Sequence, residues 1–482
     1  MSSSDPRRPT TDPQDDDDDD LLDADEAAEE IIEDQDADHP MDDDDDLEEE
    51  IQLQNDSSAH FDSHTDSIFC IAQHPTNPNL VITGGGDDVA YLFDASIPAG
   101  PVLPSSYESN PQPQGERQGI APFQKLDGHT DSVNAVTFTL PKGEYAATAG
   151  LDGKLRVWKP SDPALTKWAF VAEASEVQEI NWVAPSPSPE HPNTLALGAS
   201  DGSVWVYQID ASDASSPLTI VQAFYLHTAS CTAGAWTPDG SLLATVSEDS
   251  SLYVWDVFNT GSAVVTHTAA DQRFEVEGGL YSVACTSSLV AVGGAGGNIK
   301  VVGLPTPTAA GQQSKKSNPK SSSSSSKQSS SSSTAAGQIL ASLQAQSDGV
   351  ETLSFSSPPL TILAAGSVDG SIALFDTAHR FAVRRHIKEA HEDYAVVKVE
   401  FVRNAQKGGW ILTSAGMDGV VRRWDVRGGT TAAGQGFIKE WKGHRGEGEG
   451  GGVLGFVQGG GGGRIVTAGD DGISLVFKTD IA

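Results

Sequence analysis

Short runs of apolar residues, separated by turns rich in glycine and aspartate, fill the chain from Phe61 onward. Runs of this length with such punctuation predict β-strands. One pattern recurs: an apolar strand runs into a turn that contains an aspartate, and an aromatic residue follows six positions later. In the segment TAGLDGKLRVW these two residues are Asp152 and Trp158. The other matching pairs are Asp87 with Phe93, Asp201 with Tyr207, Asp249 with Trp255, Asp369 with Phe375, Asp418 with Trp424, and Asp471 with Phe477.

A degenerate repeat, with Gly296 and Val302 at the two positions, brings the number of repeats to eight. Most steps between repeats lie near the period of about 40–45 residues that is typical of a four-stranded blade. The two long steps contain low-complexity insertions, at about 96–122 and 305–337, which we interpret as loops between blades. The sequence therefore predicts an all-β, eight-bladed propeller over residues 57–482.

Polar residues at fixed places in the repeats resemble those of the WD-repeat family. Blades of that family are stabilised by a hydrogen-bonded tetrad of His, Ser or Thr, Asp and Trp, since a buried imidazole needs a carboxylate and an indole N–H needs an acceptor. Repeats one and eight end in Phe and lack the indole, and repeats three, five and six lack the His. Complete tetrads are predicted in repeats two, four and seven: His129, Thr148, Asp152 and Trp158; His227, Thr245, Asp249 and Trp255; His391, Ser414, Asp418 and Trp424. Because the set recurs and no nucleophile recurs beside it, we interpret it as structural and not as a catalytic relay.

The last repeat has three strands in sequence and needs a fourth from elsewhere. Residues 58–62, directly before His64, are the natural donor, because pairing the two ends of the chain removes an exposed sheet edge. We therefore predict a closing strand at 58–62 that pairs with residues 473–478.

The charge is concentrated at the N-terminus. The chain has a formal net charge of −38, and residues 1–62 contain 27 acidic residues against Arg7 and Arg8. Such density prevents a core from forming, so residues 1–56 are predicted to be a disordered acidic tail. The rest is also acidic, which disfavours nucleic acid and membrane surfaces and favours a basic partner.

The chain begins with polar residues, lacks an apolar run long enough to span a bilayer, and has three scattered cysteines. These features predict a soluble protein of the cytoplasm, with the nucleus as an additional location. We expect it to be a monomer.

A narrower resemblance rests on the acidic tail and on the segments HTDSIFCIAQHP, VITGGGDDVAYLF and DGHTDSVNAVTF. Together they are similar to the angio-associated migratory cell protein family, over roughly residues 57–482. The two insertions and the glycine cluster at 446–463 depart from that family. The family includes a fungal ribosome-assembly chaperone that captures a nascent, basic large-subunit ribosomal protein. The resemblance implies eight blades and a basic peptide held on one propeller face.

Acidic residues gather in the loops that should share one face of the propeller, and few bases accompany them, Arg445 being one. Glu351 should lie near the start of an inner strand, facing the central channel. We predict that this face binds the partner through Asp66, Asp88, Asp131, Glu176, Glu248, Asp348, Glu351, Asp393 and Asp470.

The expected function is binding without catalysis. No phosphate-binding loop and no metal-spaced His/Cys cluster is present, so no cofactor and no metal is expected. Two alternatives remain open: a chaperone for histones or other basic proteins, and a WD-repeat scaffold or ubiquitin-ligase adaptor. The family analogy favours the ribosomal protein, because the fold alone does not fix the function.

Overall fold

The computed structural model describes residues 54–96, 118–305, 335–403, 409–428, 433–446, 451–459 and 461–479. The tail predicted at 1–56 lies outside these residues except for its last three, and most of both insertions also lies outside them. The ends of the insertions do not match the prediction, because residues 118–122 already belong to strands or their connection and residue 335 opens the next turn.

The described residues form β-strands with two single-turn 3-10 helices, Ala295–Gly297 and Ala433–Gly436. In the first half of the chain the strands are β1 Ala59–Phe61, β2 Ile68–Gln73, β3 Leu80–Gly85, β4 Ala90–Asp94, β5 Gln118–Gly119, β6 Pro122–Leu126, β7 Val133–Phe138, β8 Ala146–Gly150, β9 Leu155–Pro160, β10 Trp168–Ala174, β11 Ile180–Pro185, β12 Thr194–Ala199, β13 Val204–Ile209, β14 Leu218–Phe224, β15 Cys231–Trp236, β16 Leu243–Ser247, β17 Leu252–Asp256 and β18 Ser262–His267.

In the second half they are β19 Leu280–Cys285, β20 Leu289–Gly294, β21 Asn298–Gly303, β22 Ile339–Gln344, β23 Val350–Phe355, β24 Ile362–Ser367, β25 Ile372–Asp376, β26 Ala382–Ile387, β27 Ala390–Asp393, β28 Val396–Phe401, β29 Ile411–Gly416, β30 Val421–Asp425, β31 Phe437–Trp441, β32 Val453–Val457, β33 Arg464–Gly469 and β34 Ser474–Lys478.

All of these strands except β27 form eight sheets, one for each repeat, and each sheet has four antiparallel strands in up-and-down order. The inner strands, from blade 1 to blade 8, are β2, β7, β11, β15, β19, β23, β28 and β32. Neighbouring inner strands contact one another all the way round, including β32 with β2, so the sheets close into a ring. The prediction of an eight-bladed propeller is confirmed.

Blade 8 is completed by the N-terminal end of the described chain. Strand β1 pairs antiparallel with β34, at the place where the sequence predicts the closing strand. Phe61 is fully buried there and stacks on Phe93 at a ring-centroid distance of 4.2 Å. The predicted tail includes Asp56, but its backbone N–H donates to the carbonyl of Lys442 (2.7 Å) and its carboxylate accepts the N–H of Lys442. The short strand β5 adds a fifth, parallel strand outside β1, which the sequence pattern does not reveal.

The hydrophobic core lies between blades. Strands β3, β12 and β24 are buried along their whole length, because both faces of each sheet pack against a neighbouring sheet. One hydrophobic cluster, for example, joins Ile82 and Leu92 of blade 1 to Val136 and Trp158 of blade 2. Each blade therefore depends on its neighbours, and the two ends of every sheet remain free to carry loops.

Candidate functional site

One end of the propeller carries two kinds of loop. Because the strands of each blade alternate in direction, the loop that leads into an inner strand and the turn between the second and third strands lie at the same end. We call these the interblade loops and the inner turns, and the surface that they form is the upper face. All the acidic residues predicted for binding lie in or directly beside these loops.

Blade 2 shows the predicted tetrad in full. His129 Nδ1 lies 3.0 Å from a carboxylate oxygen of Asp152, and His129 Nε2 lies 2.8 Å from the hydroxyl of Thr148. The indole of Trp158 donates to the same hydroxyl (3.4 Å). The second Asp152 oxygen accepts the backbone N–H of Thr130. The tetrad therefore joins the interblade loop to the inner turn.

Blade 7 has the same arrangement, more deeply buried. His391 bonds Asp418 at 2.9 Å and Ser414 at 2.8 Å, and Trp424 donates to Ser414 at 2.9 Å. The guanidinium of Arg422 also bonds the Asp418 carboxylate. This aspartate is thus neutralised within its own blade.

Blade 4 differs from the prediction at one bond. His227 Nδ1 lies 4.0 Å from the carboxylate of Asp249, too far for a hydrogen bond. It contacts the hydroxyl of Ser251 at 2.6 Å instead, and Ser251 donates to Asp249. The Thr245 and Trp255 contacts are as predicted. The prediction that His227 bonds Asp249 directly was wrong, because the serine two residues after the aspartate lies between them.

Blades 1 and 8 have the shortened sets that end in phenylalanine. In blade 8, His444 lies 3.1 Å from Asp471 and 2.7 Å from Thr467. The corresponding residues of blade 1 are His64, Asp87 and Thr83, at 2.9 and 3.0 Å.

Blades 3 and 6, which lack the His, have substitutes that the sequence pattern did not identify. In blade 6 the buried Gln346 donates to the hydroxyl of Ser371, which in turn donates to Asp369. Gln346 lies 23 residues before Asp369, the same spacing as in His64–Asp87, and this spacing was the missed signal. In blade 3 Tyr207 donates to Glu176 at 2.7 Å. Glu176, predicted for partner binding, thus has a packing contact.

Burial favours the neutral form of two tetrad histidines. Desolvation lowers the pKa of His129 and of His391 below the ordinary value, and this effect outweighs the hydrogen bonds to Asp152 and Asp418 that act to raise it. A neutral imidazole with its proton on Nδ1 can donate to the aspartate and accept from the hydroxyl at the same time. The hydroxyl beside each imidazole, from Thr148, Thr245 or Ser414, is fully buried and accepts the indole N–H of the same blade, so these groups hold the blade together.

Several of the predicted binding acids also shape their own loops. Asp66, Asp131 and Asp348 each accept the backbone N–H of the following residue, at 2.7 to 2.8 Å. Asp88 occupies a turn position with a φ of 62°. Asp393 is exposed at the end of β27. These contacts leave the carboxylates of Asp66, Asp131, Asp348 and Asp393 exposed to solvent.

Some of these acids are close to one another in space and form two separate groups. Asp470 of blade 8 accepts the hydroxyl of Ser67 in blade 1 at 2.7 Å, which brings it beside Asp66. The second group lies over blades 4 to 6. Asp88, Asp131, Glu176 and Asp393 lie in separate interblade loops or inner turns.

The second group surrounds an aromatic residue that the repeat pattern does not mark. Burial and the negative charges of Glu351, Glu248 and Asp348 together raise the pKa of Tyr281. Gly349 packs against this group: a Cβ there would lie 3.3 Å from the Glu351 carboxylate and 3.6 Å from the Tyr281 ring. We call Glu248, Tyr281, Asp348 and Glu351 the blade 5 sector.

The carboxylates of the blade 5 sector are not neutralised by any basic residue in the described part of the chain. Within the described ranges, no ion pair involves Glu248, Asp348 or Glu351. Desolvation, followed by the charge of Asp348, raises the pKa of Glu351. A bound cation would relieve this repulsion.

The described part of the chain contains no cluster of His, Cys, Asp and Glu placed to hold a metal ion. None of its helices has the length and apolar character needed to cross a membrane.

The ring of four-stranded sheets and the repeated tetrads define a WD-repeat β-propeller. The family model for the WD domain, G-beta repeat matches residues 55–94, 121–159, 218–256 and 337–376. The chain is 29% identical to the ribosome assembly protein SQT1 of Saccharomyces cerevisiae, over 89% of this chain and 88% of that protein. It is 25% identical to the human angio-associated migratory cell protein, over 88% of this chain and 80% of that protein.

Solved structures give a closer match. The crystal structure of Chaetomium thermophilum Sqt1 is 51% identical, covers 89% of this chain and 99% of its own, and superposes with a TM-score of 0.75. The same protein bound to the N-terminus of ribosomal protein L10 is also 51% identical, with a TM-score of 0.74 over 88% of this chain. The chain belongs to the Sqt1 family of WD-repeat proteins.

Proposed function

We propose that this chain is a non-catalytic ribosome-assembly chaperone that binds the basic N-terminal segment of a large-subunit ribosomal protein of the L10 type. The single observation that carries the proposal is the relative that is 51% identical and was crystallised with the N-terminus of L10. We propose that the protein acts as a monomer in the cytoplasm, without cofactor, and that it does not bind nucleic acid directly.

The upper face suits a cationic segment for a simple electrostatic reason. Glu248 and Glu351 are exposed and unpaired within the described residues, and Tyr281 between them offers an aromatic face. Carboxylates form strong, charge-assisted hydrogen bonds with guanidinium groups, and aromatic faces attract cations. Asp470 and Asp66 supply a second negative point across the ring, at the junction of blades 8 and 1.

The role of such a complex would be to neutralise the positive charge of the bound segment. A Lys- and Arg-rich segment binds any RNA and aggregates readily, and masking its cations prevents both. The acidic N-terminal tail would raise the encounter rate with such a segment. Release would follow when ribosomal RNA phosphates outcompete the carboxylates.

Charge reversal tests the proposal. The triple variant Glu248→Lys, Glu351→Lys and Asp470→Lys should weaken binding of a peptide from the L10 N-terminus by at least about 100-fold, measured by titration calorimetry at physiological salt. Glu190→Lys is the matched control, because Glu190 is equally exposed but lies in a loop at the opposite end of blade 3. Unchanged affinity in the triple variant would refute this assignment of the site.

The partner class is tested separately. Purified protein should retain the L10-type ribosomal protein from a mixture that also contains core histones. Preferential retention of histones would favour the general basic-protein chaperone instead. Salt-insensitive capture of ubiquitin-ligase components would favour the adaptor.

A further inference from the structure

A bulge is present at the same place in all eight inner strands. In blade 1, Ile68 pairs with Gly85 and Cys70 pairs with Gly84, so Phe69 between them is skipped. The pairing of every other inner strand shifts at its second residue in the same way. Because these residues lie at the upper end of the innermost strands, they surround the mouth of the central channel. In blade order this mouth ring is Phe69, Asn134, Asn181, Thr232, Tyr281, Glu351, Val397 and Leu454.

The members from blades 2 to 4 serve the architecture. Asn134 donates to the carbonyl of Ile180 at 2.6 Å, and Thr232 donates to the carbonyl of Leu280 at 2.6 Å. Asn181 bonds the carbonyl of Cys231 in the same manner. Each side chain thus links its blade to the inner strand of the following blade, and its donor is already used in that link.

The members from blades 7, 8 and 1 form an apolar arc. Val397, Leu454 and Phe69 are consecutive around the ring, and the side chain of Phe69 is 40% exposed. Val397 and Leu454 are half-buried. None of the three packs in the hydrophobic clusters that hold the blades together. Three apolar side chains that the core does not use leave an apolar surface beside the channel mouth.

The members from blades 5 and 6, Tyr281 and Glu351, belong to the blade 5 sector. The mouth ring is therefore divided: an acidic and aromatic part over blades 5 and 6 adjoins an apolar part over blades 7, 8 and 1. Glu351 and Val397 are neighbours in the ring. A ligand of uniform charge would match the first part only.

We propose that the channel mouth selects an amphipathic basic segment, with a cationic side chain beside Tyr281 between Glu248 and Glu351, and an apolar side chain a few residues away on Phe69, Val397 and Leu454. The proposal rests on the proposed function and specifies its ligand: the L10 N-terminal segment would bind through an apolar residue as well as its charge. Apolar contact is insensitive to salt, whereas attraction to the exposed carboxylates is screened by it. The two parts can therefore be measured separately.

The test uses the full chain and two peptides, one from the L10 N-terminus and one oligo-arginine of equal charge. The variant Val397→Ser with Leu454→Ser should weaken binding of the L10 peptide at least tenfold without changing its salt dependence. The same variant should bind oligo-arginine as the wild type does. Leu340→Ser with Val383→Ser is the matched control, since these apolar residues are exposed on outer strands. Phe69→Ser provides a second, independent change in the arc, and thermal melting checks that each variant is folded.

Two outcomes would overturn the inference, and they differ. In the first, the arc variants bind the L10 peptide as the wild type does, while Glu248→Gln with Glu351→Gln weakens its binding. The channel mouth would then recognise only the charge of the peptide, and the proposed function would stand. If the wild type binds neither peptide at physiological salt, the proposed function itself fails.

Discussion

Blades 5 and 7 share one fold but use their upper loops for different purposes. In blade 7 the inner-turn aspartate, Asp418, is buried and is bonded to His391 and Arg422. In blade 5 the equivalent turn has Gly296, and the nearby carboxylates of Glu248 and Glu351 have no cation beside them in the described structure.

The presence or absence of a neutralising partner distinguishes structural acids from binding acids better than their position in the loops does. An acid that the fold neutralises stabilises the fold, and removing it leaves buried partners unpaired. An acid that the fold leaves unneutralised costs some stability and offers attraction to a ligand. Both kinds lie on the same face, and their partners distinguish them.

The largest structural effect should come from the closure of blade 8. Deleting residues 1–63 removes β1 and the buried Phe61, so it should lower the free energy of unfolding by more than about 4 kcal/mol. Deleting residues 1–50 should change it by less than about 0.5 kcal/mol. Urea unfolding of the two variants measures both, and equal losses would refute the closure.

The next effect should be seen in blade 7. Asp418→Ala leaves the buried His391 and Arg422 without their carboxylate and should cost about 3 kcal/mol, measured by urea unfolding. Asp393→Ala is the control, because Asp393 is exposed in the interblade loop of the same blade, and it should change stability by less than about 0.5 kcal/mol. Similar values for the two would mean that blade 7 does not depend on its tetrad.

Mild acid should destabilise the fold before it protonates ordinary carboxylates. Desolvation lowers the pKa of five described histidines: His74, His129, His267, His386 and His391. Below a pH of about 6.5 these histidines bind protons in the unfolded chain but remain neutral in the folded one. The free energy of unfolding therefore falls as the pH falls through this range. Glu351, with its raised pKa, acts in the opposite direction but is one group. Thermal melting between pH 5 and 7.5 should show the melting temperature rising with pH, and a flat profile would contradict this.

The smallest effect should come from the blade 5 sector. The raised pKa of Glu351 means that its charged form opposes folding, so Glu351→Gln should stabilise the protein at pH 7. Because solvent screens a side chain this exposed, the gain should be only roughly 0.3 kcal/mol, and it should vanish at pH 3.5, where the wild-type carboxyl is protonated. A loss of stability at pH 7 would show that Glu351 has a structural partner.

Sequence periodicity was sufficient for the architecture, because each blade repeats the same Asp-to-aromatic spacing and needs its neighbours to bury both faces. The substitutes were harder to find. Gln346 replaces a histidine with a different side chain. Ser251 enters blade 4 from the position two residues after the aspartate, which varies in kind from blade to blade, so neither residue stands out from the repeat pattern.

The candidate site was predictable only in part. The sequence indicates which acids lie on the upper face. It does not show that Asp87 and Asp418 have partners within their own blades whereas Glu351 has no basic partner among the described residues. Whether a carboxylate has a cation or donor nearby depends on contacts between loops of different blades, as around Tyr281. The apolar arc depends on the bulges, each of which moves the second residue of its inner strand out of the pairing. These bulges are not visible in the hydrophobic pattern.

The most direct test of the central claim is to locate the bound segment. A photoreactive benzoylphenylalanine at position 281, and a second variant with the same residue in place of the exposed Phe123 on an outer strand, would be irradiated with the L10 N-terminal peptide at physiological salt. The account predicts a crosslink at position 281 and none at position 123, and loss of that crosslink when Glu248 and Glu351 are changed to Gln. Crosslinking at position 123 but not at 281 would contradict it.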